Sequence, residues 1–391
     1  MAHIRVSKDF VAIGCNEALY IFNRHTLQTH RRLEIGELHK KYDVDKNGPY
    51  STPAERQILG LAFSPSGKYI CCLTSAKVAM VFDVEDYFYF VNKPIRLPKA
   101  PTAVVFDKEE QHIIVSDRAG NVNRFELKEQ PTYPEDKKWQ DINGEEHNMP
   151  FHPLLGHMSM VLDMRLSDDN KFILTADRDE KLRVSRYPDA YNIEHFCLGH
   201  ESYVKSIQTF RKGAFTSGGD SVIRAWNLVS GKCIAQSDRL SDDPVRHLRI
   251  LGDEDSIIRI AVAFEKSNII KTLIFNGPEN TFINDTTYNA PENLFDLAYH
   301  PDGTLFVLTT KNAYKINEKG EFVPFDGPIG EDDSRLIEAD LGISADPIEK
   351  LEKNVAFNNM DEYLQRKEER KEKRKRKHEG EEEPAKVAAT N

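Results

Sequence analysis

Five charged side chains fall within six positions at Arg178-Asp179-Glu180-Lys181 and Arg183. Apolar residues flank them, Phe172-Ile173-Leu174 before and Leu182 with Val184 after, so they read as a tight turn between two strands. A turn this dense in mixed charge is either simply solvated or suited to a partner of complementary charge. Binding residues concentrate on loops held by a rigid scaffold, so the second reading is carried forward. No other group promises chemistry. His157 and His200 each follow a glycine and could be general bases, but at such a Gly-His position they read as buried structural groups donating to an Asp. Ser217-Gly218-Gly219-Asp220 would cradle phosphate only as part of Gly-x-x-x-x-Gly-Lys with a helix behind it, and both are missing. The 13 histidines are scattered without metal-ligand spacing. Asp177, Asp179 and Glu180 could attract a cation, but Arg178 and Lys181 stand among them. The sequence therefore predicts neither an enzyme nor a metal site.

The elements that hold the turn are repeated. One copy opens at Leu155-Gly156-His157 and closes at Leu182-Arg183-Val184-Ser185, and the next opens at Leu198-Gly199-His200 and closes at Ile223-Arg224-Ala225-Trp226. The two Gly-His pairs lie 43 residues apart, and so do Phe63 and Phe106 in earlier copies. Gly-His near the start, Trp near the end and a period of this size mark a blade of a β-propeller. Inside such a sheet stack, His, Ser or Thr, Asp and Trp satisfy one another's polar atoms. The set reads His200, Asp220 and Trp226 in the second copy, and His157 with Asp179 in the first, where Ser185 replaces the Trp. The copy at 101–126 has Ala119 and Phe125 at the Asp and Trp positions, so it reads as lacking the set.

Further blades fall at 58–83, 244–275 and 293–316. The β-rich runs Val11-Ala12-Ile13 and Ala18-Leu19-Tyr20-Ile21-Phe22 read as strands of one more blade, completed by the C-terminal end of the ring so that no sheet edge stays open. Residues 24–56 read as a loop or insertion, and 127–151 as a surface loop between blades. The expected fold is all-β, a seven-bladed WD-repeat β-propeller over 1–345. An extension with one short helix follows at 346–365, where Phe357, Met360 and Leu364 have helical spacing, and a charged, disordered tail at 366–391.

Five cysteines without a Cys-x-x-Cys pair imply reduced thiols, and neither a leader nor a membrane-spanning run is expected. Net charge is −10, but residues 366–377 carry nine basic and three acidic side chains, which leaves −16 on the rest. So acidic a body does not grip nucleic acid over its whole surface. In the basic run, Lys371, Lys373, Arg374, Lys375, Arg376 and Lys377 fit nuclear import first and contact with RNA phosphate second. The nucleus is the expected compartment, with the cytoplasm as a second.

The stretch from Leu154 through Thr175-Ala176-Asp177-Arg178-Asp179-Glu180-Lys181 to Gly199-His200 resembles the WD-repeat, non-catalytic subunit of the tRNA guanine-N7 methyltransferase. Ser116-Asp117-Arg118-Ala119-Gly120-Asn121-Val122 is similar to an earlier blade of that family. The specific match covers 116–226, and the blade layout extends it over most of the chain. The resemblance implies a heterodimer with a Rossmann-type catalytic subunit, which itself binds S-adenosylmethionine and methylates guanine N7 in the variable-loop region of tRNA. This chain would bind no cofactor. It would stabilise that subunit and help position tRNA. The resemblance also places Arg178, Glu180, Lys181 and Arg183 at the subunit contact, with Arg183 first choice for an ion pair and Asp179 ordering the turn. The competing expectation is a general WD-repeat scaffold in another nuclear complex, and a third, a propeller enzyme, lacks convergent catalytic groups.

Overall fold

Runs such as Tyr69–Thr74 and Gly213–Gly218 are buried at every position. A strand reaches that state only when both faces of its sheet are covered. In a computed structural model, which describes residues 2–41, 57–86, 89–91, 93–127, 137–211, 213–252, 257–325 and 351, the strands form seven such sheets. These are blades 1 to 7, at residues 2–34, 58–96, 101–156, 161–198, 204–236, 245–289 and 294–324. Six have four antiparallel strands and the second has five. Burial is greatest in the middle of a blade and falls to its outer edge: in blade 4 it is nearly complete in Phe172–Asp177 and slight in the outermost strand, Ile193–Leu198. The chain divides into two compact units, Met1–Ile348 and Glu349–Asn391. All seven blades lie in the first, and only Leu351 of the second is described. The expected helix near Leu364 and the basic run fall outside the described residues. Among the described residues no helix is long and apolar enough to cross a membrane.

The seven-bladed expectation holds, but the ring closes differently. Among the described residues no C-terminal strand pairs with the N-terminal strands. Ala2–Val6, Phe10–Cys15, Ala18–Asn23 and Thr29–Glu34 make a complete blade in sequence order, and so do the four strands of blade 7. Thr29–Glu34 escaped notice because an outermost strand needs only part of its surface apolar, and Thr-His-Arg-Arg-Leu-Glu reads as loop. It is followed by the one helix among the described residues, Ile35–Lys41. Blade 1 then joins blade 7 by side chains. Ile4 and Phe22 share a core with Phe306 and Phe325, whose ring stands 5.2 Å from that of Phe22. Within the presumed loop before blade 4, Trp139–Gln140 and Glu146–His147 pair as a small hairpin, and Phe151 is buried.

One irregularity recurs near the ring axis. In blades 2 to 7 the innermost strand shifts register by one residue near its start, before Gly60, Ala103, Asp163, Ser206, His247 and Asp296 in turn. A bulge re-aims the residue at which it ends. It brings the carboxylates of Asp163 and Asp296 to the backbone of the next blade, Asp163 Oδ2 accepting from Ile207 N at 2.9 Å and Asp296 Oδ2 from Ile4 N at 3.3 Å.

Candidate partner-binding site on the fourth blade

The charged turn joins Phe172–Asp177 to Lys181–Arg186. Asp177 builds it from within. Its Oδ1 accepts from Asp179 N at 3.0 Å and Lys181 N at 3.1 Å, while its Oδ2 lies 3.1 Å from His157 Nδ1. The other His157 nitrogen lies 2.7 Å from Thr175 Oγ1. Burial alone would raise the Asp177 carboxyl, but the bonds from His157 and Lys181 outweigh it and the group titrates below the usual range. Glu180 completes the reversal at φ 72°, in the left-handed region.

Asp177, not Asp179, is therefore the structural aspartate of blade 4. Blade 5 shows why sequence spacing misled. There His200 Nδ1 meets Asp220 Oδ2 at 2.9 Å and His200 Nε2 meets Thr216 Oγ1 at 2.7 Å, and Trp226 Nε1 donates to the same Thr216 Oγ1 at 2.7 Å. Asp177 sits opposite Val161, and the residue in the matching place, opposite Val204, is Gly218. A Cβ on Gly218 would stand 1.9 Å from the Tyr203 carbonyl oxygen, so no aspartate fits there, and Asp220 reaches back from two residues on. Arg224 Nη1 donates to Asp220 at 2.7 Å, and with His200 it holds that carboxyl down to about 2 against the opposing effect of burial. Burial, outweighing Asp220, keeps the His200 pKa below its ordinary value. Blade 3, read above as lacking the set, keeps part of it: buried Asp117 accepts from Ala119 N at 2.8 Å and Asn121 N at 3.0 Å.

The four residues assigned to a partner separate into two layers. Arg178, Glu180 and Lys181 are half-buried on the turn itself. Arg183 lies beneath, 7% exposed. Its Nε donates to Ser185 Oγ at 2.8 Å, Nη1 to the Gly156 carbonyl at 2.9 Å and Nη2 to the Ala190 carbonyl at 3.0 Å. Ser185 holds the register position that Trp226 holds in blade 5, so the guanidinium turns into space where the neighbouring blade has an indole. Burial depresses its pKa.

Sequence reasoning missed the apolar half of this surface. Among the described residues no strand pairs with the outer edge of the outermost strand, Ile193–Leu198. Phe196, opposite Arg183, is 50% exposed, and Leu198, opposite Lys181, is 65% exposed. Met158 stands free on the connection whose Met160 carbonyl accepts from Arg178 N at 3.1 Å. Buried Cys197 between Phe196 and Leu198 was the available signal, since strand side chains alternate and one inward residue sends both neighbours outward. An edge strand this apolar invites pairing or cover.

Metal-ligand types converge once among the described residues, where donor atoms of Asp141, Glu145 and His147 lie within 4.8 Å of one another. All three serve the small hairpin of blade 3. Asp141 Oδ1 accepts from Asn143 N and Glu145 N, both at 2.9 Å, and Glu145 pairs with Lys99 at 2.8 Å. Lys371, Lys373, Arg374, Lys375, Arg376 and Lys377 lie outside the described residues.

Comparison with solved structures supports the architecture alone. A chain in the crystal structure of the mitotic checkpoint complex superposes with TM-score 0.59 at 14% identity, covering 81% of this chain and 87% of that one. The RRP9 WD40 repeats give 0.58 at 11%, covering 78% and 89%. Sequence comparison is more specific. A Caenorhabditis elegans protein named as the tRNA (guanine-N(7)-)-methyltransferase non-catalytic subunit is 34% identical over 69% of this chain and 63% of its own length. The subunit TRM82 of Candida glabrata is 31% identical over 52% and 50%, and the Danio rerio subunit wdr4 is 25% identical over 94% and 92%. The chain thus spans about half to two thirds of the first two relatives. The family described as the tRNA methyltransferase TRM82 WD40 domain matches residues 23–153 and 123–319, and this chain belongs to that family.

Proposed function

We propose that the chain is the non-catalytic subunit of a tRNA guanine-N7 methyltransferase. In this reading it forms a heterodimer with a catalytic subunit that alone binds S-adenosylmethionine, and it holds that subunit in its active shape and helps place tRNA. The names of its relatives support this reading over a general scaffold. The observation that carries it is the surface of blade 4, where exposed Phe196 and Leu198 lie directly across the strand pair from Arg183 and Lys181. Apolar anchors beside fixed charges are what a specific protein contact needs: the anchors supply affinity, the charges register and selectivity. Arg178, Glu180 and Lys181 meet the partner directly. Arg183 sets the strand beneath them through Ser185 and the Gly156 and Ala190 carbonyls. The basic run at 366–377 directs the protein to the nucleus and adds contacts to tRNA phosphate.

The test is co-expression with the methyltransferase partner. The pair should elute together and methylate guanine N7 of tRNA, and neither polypeptide alone should do so at a comparable rate. Arg178→Glu combined with Lys181→Glu should leave the propeller folded and abolish co-elution. Methyl transfer by this chain alone, or unchanged co-elution of the double variant, would sink the reading. A fluorescent fusion in which the six basic residues from Lys371 to Lys377 are replaced by Ser should leave the nucleus, and its retention there would remove them from import.

A further inference from the structure

Charge is also concentrated at the axis of the ring. The innermost strands of blades 4, 5, 6 and 1 carry Arg165, Lys205, Arg246 with Arg249, and Arg5. Three carboxylates face these five cations. Asp163 takes Arg165 at 2.9 Å. Glu265, just after the second strand of blade 6, takes Lys205 at 2.5 Å and Arg246 at 2.8 Å. Asp296 takes Arg5 and Arg249, both at 2.6 Å. The groups form one electrostatic neighbourhood: Arg249 feels Arg5 and Arg165, and His247 feels Arg249, Arg246 and Lys205. Two positive charges remain unbalanced, in a body whose overall sign is opposite.

Two imidazoles stand among them. Both ring nitrogens of His3 are buried without a hydrogen-bond partner, the nearest carboxylate oxygen lying 3.9 Å from Nδ1 on Asp296. His247 Nε2 is likewise 3.7 Å from Asp296. A buried polar atom without a partner is costly and uncommon, so His3 calls for a ligand that would satisfy it. Burial first, and nearby cations second, press both histidines toward the neutral form, His3 down to about 3. Across the axis, blades 2 and 3 place Leu59 and Thr102 at the stations of Lys205 and Arg246, and Ala62 and Val105 at the station of Arg165, none of them charged.

We propose that the ring axis, between Arg165, Lys205, Arg246 and the unpartnered His3 imidazole, binds a phosphate-type oxyanion. Such an ion balances the two excess charges. It also accepts hydrogen bonds from guanidinium, ammonium and imidazole N–H donors at once, which chloride does with far less directionality. The donors come from four different blades, so occupancy would tie those blades together and stabilise the ring by mass action.

The test uses the full chain, titrated calorimetrically and by thermal melting at constant ionic strength, with sodium pyrophosphate in one arm and adenosine 5′-monophosphate in the other. Saturable binding at one ion per chain with a rise in melting midpoint is expected. Preference for pyrophosphate identifies a free inorganic ion, and preference for the nucleotide a phosphate carried on a nucleoside. Arg165→Met with Lys205→Met removes the two excess charges yet leaves Asp163 bonded to Met164 N and Ile207 N, and Glu265 paired with Arg246. This variant should bind at least tenfold more weakly, whereas Lys171→Met, at the exposed end of blade 4, should bind normally. Absence of saturable binding in both arms, or equal binding by the double variant, overturns the proposal. A readout independent of variant folding is the nuclear magnetic resonance of the wild-type imidazoles. Bound pyrophosphate should shift the His3 and His247 signals, and unshifted signals at saturation overturn the proposal equally.

Discussion

The Arg5 guanidinium and the Asp296 carboxylate meet at 2.6 Å across 291 residues of chain, at the seam between the first blade and the last. Asp296 is fully buried there, and its second oxygen holds Arg249 at 2.6 Å. Although burial alone would raise it, the Arg249 and Arg5 guanidinium groups draw the Asp296 carboxyl far below the usual carboxylate range. Removing one member of a buried pair leaves the other charge uncompensated, at about 3–5 kcal/mol. Asp296→Asn should lower stability by an amount of that order in urea denaturation. A loss below about 1 kcal/mol would mean that the apolar core of the seam closes the ring unaided.

Acid should weaken the protein in two stages, and the signs agree. His3, His200 and His247 are all held below the ordinary histidine value by burial. Between folded and unfolded pKa the unfolded chain binds more protons, so their contribution is complete above about pH 7 and is lost as pH falls. Asp220, folded near 2, adds a second loss between about pH 4 and pH 2. Stability measured from pH 7.5 to pH 4 should fall, and His3→Gln should flatten the slope by up to about 1.4 kcal/mol per pH unit. An unchanged slope would show that His3 titrates alike in the folded and the unfolded chain.

Arg183→Glu should act on the blade as well as on the partner. A carboxylate at that depth would face the Gly156 and Ala190 carbonyls that the guanidinium now satisfies. The cost is about 2–4 kcal/mol of stability, whereas Arg178→Glu on the surface should cost under about 0.5. Chemical denaturation of the isolated chain separates the two, and equal stabilities would place Arg183 outside the blade interior.

Gly218→Ala should be among the more damaging single-methyl additions, because its Cβ would meet the Tyr203 carbonyl oxygen at 1.9 Å and the Val204 Cα at 3.0 Å, both backbone. The strand must move, at about 2 kcal/mol or more. A melting midpoint within a degree of wild type would mean that the two strands separate freely at that point.

On the partner surface, Phe196→Ala and Leu198→Ala should each leave stability near wild type, since both side chains are mostly in solvent. Each should weaken capture of the catalytic subunit by about 1–2 kcal/mol, roughly tenfold. Immobilised wild-type and variant chains give the comparison directly, and undiminished capture by the Phe196–Leu198 double variant would move the contact elsewhere.

Blade number and order were legible because inner strands such as Tyr69–Thr74 must be apolar on both faces, and turn residues punctuate them at a steady period. Thr29–Glu34 was not, since an outermost strand can look like a loop. Asp177 was missed because counting back from Ser185 and Trp226 assumes identical turns, and Gly218 shows that they differ by where a Cβ fits. The depth of Arg183 depends on Ser185, whose small side chain leaves room that only packing reveals. The axial cluster could not be read at all, because His3, Arg5, Arg165, Arg249 and Asp296 come together only once the ring is closed.

The self-contained first blade bears on how the molecule is made. Because its four strands, Ala2–Val6 to Thr29–Glu34, pair only with one another, its sheet needs no strand from the last blade. The last event is a docking of finished surfaces, sealed when one carboxylate from late in the chain reaches an arginine from its fifth position.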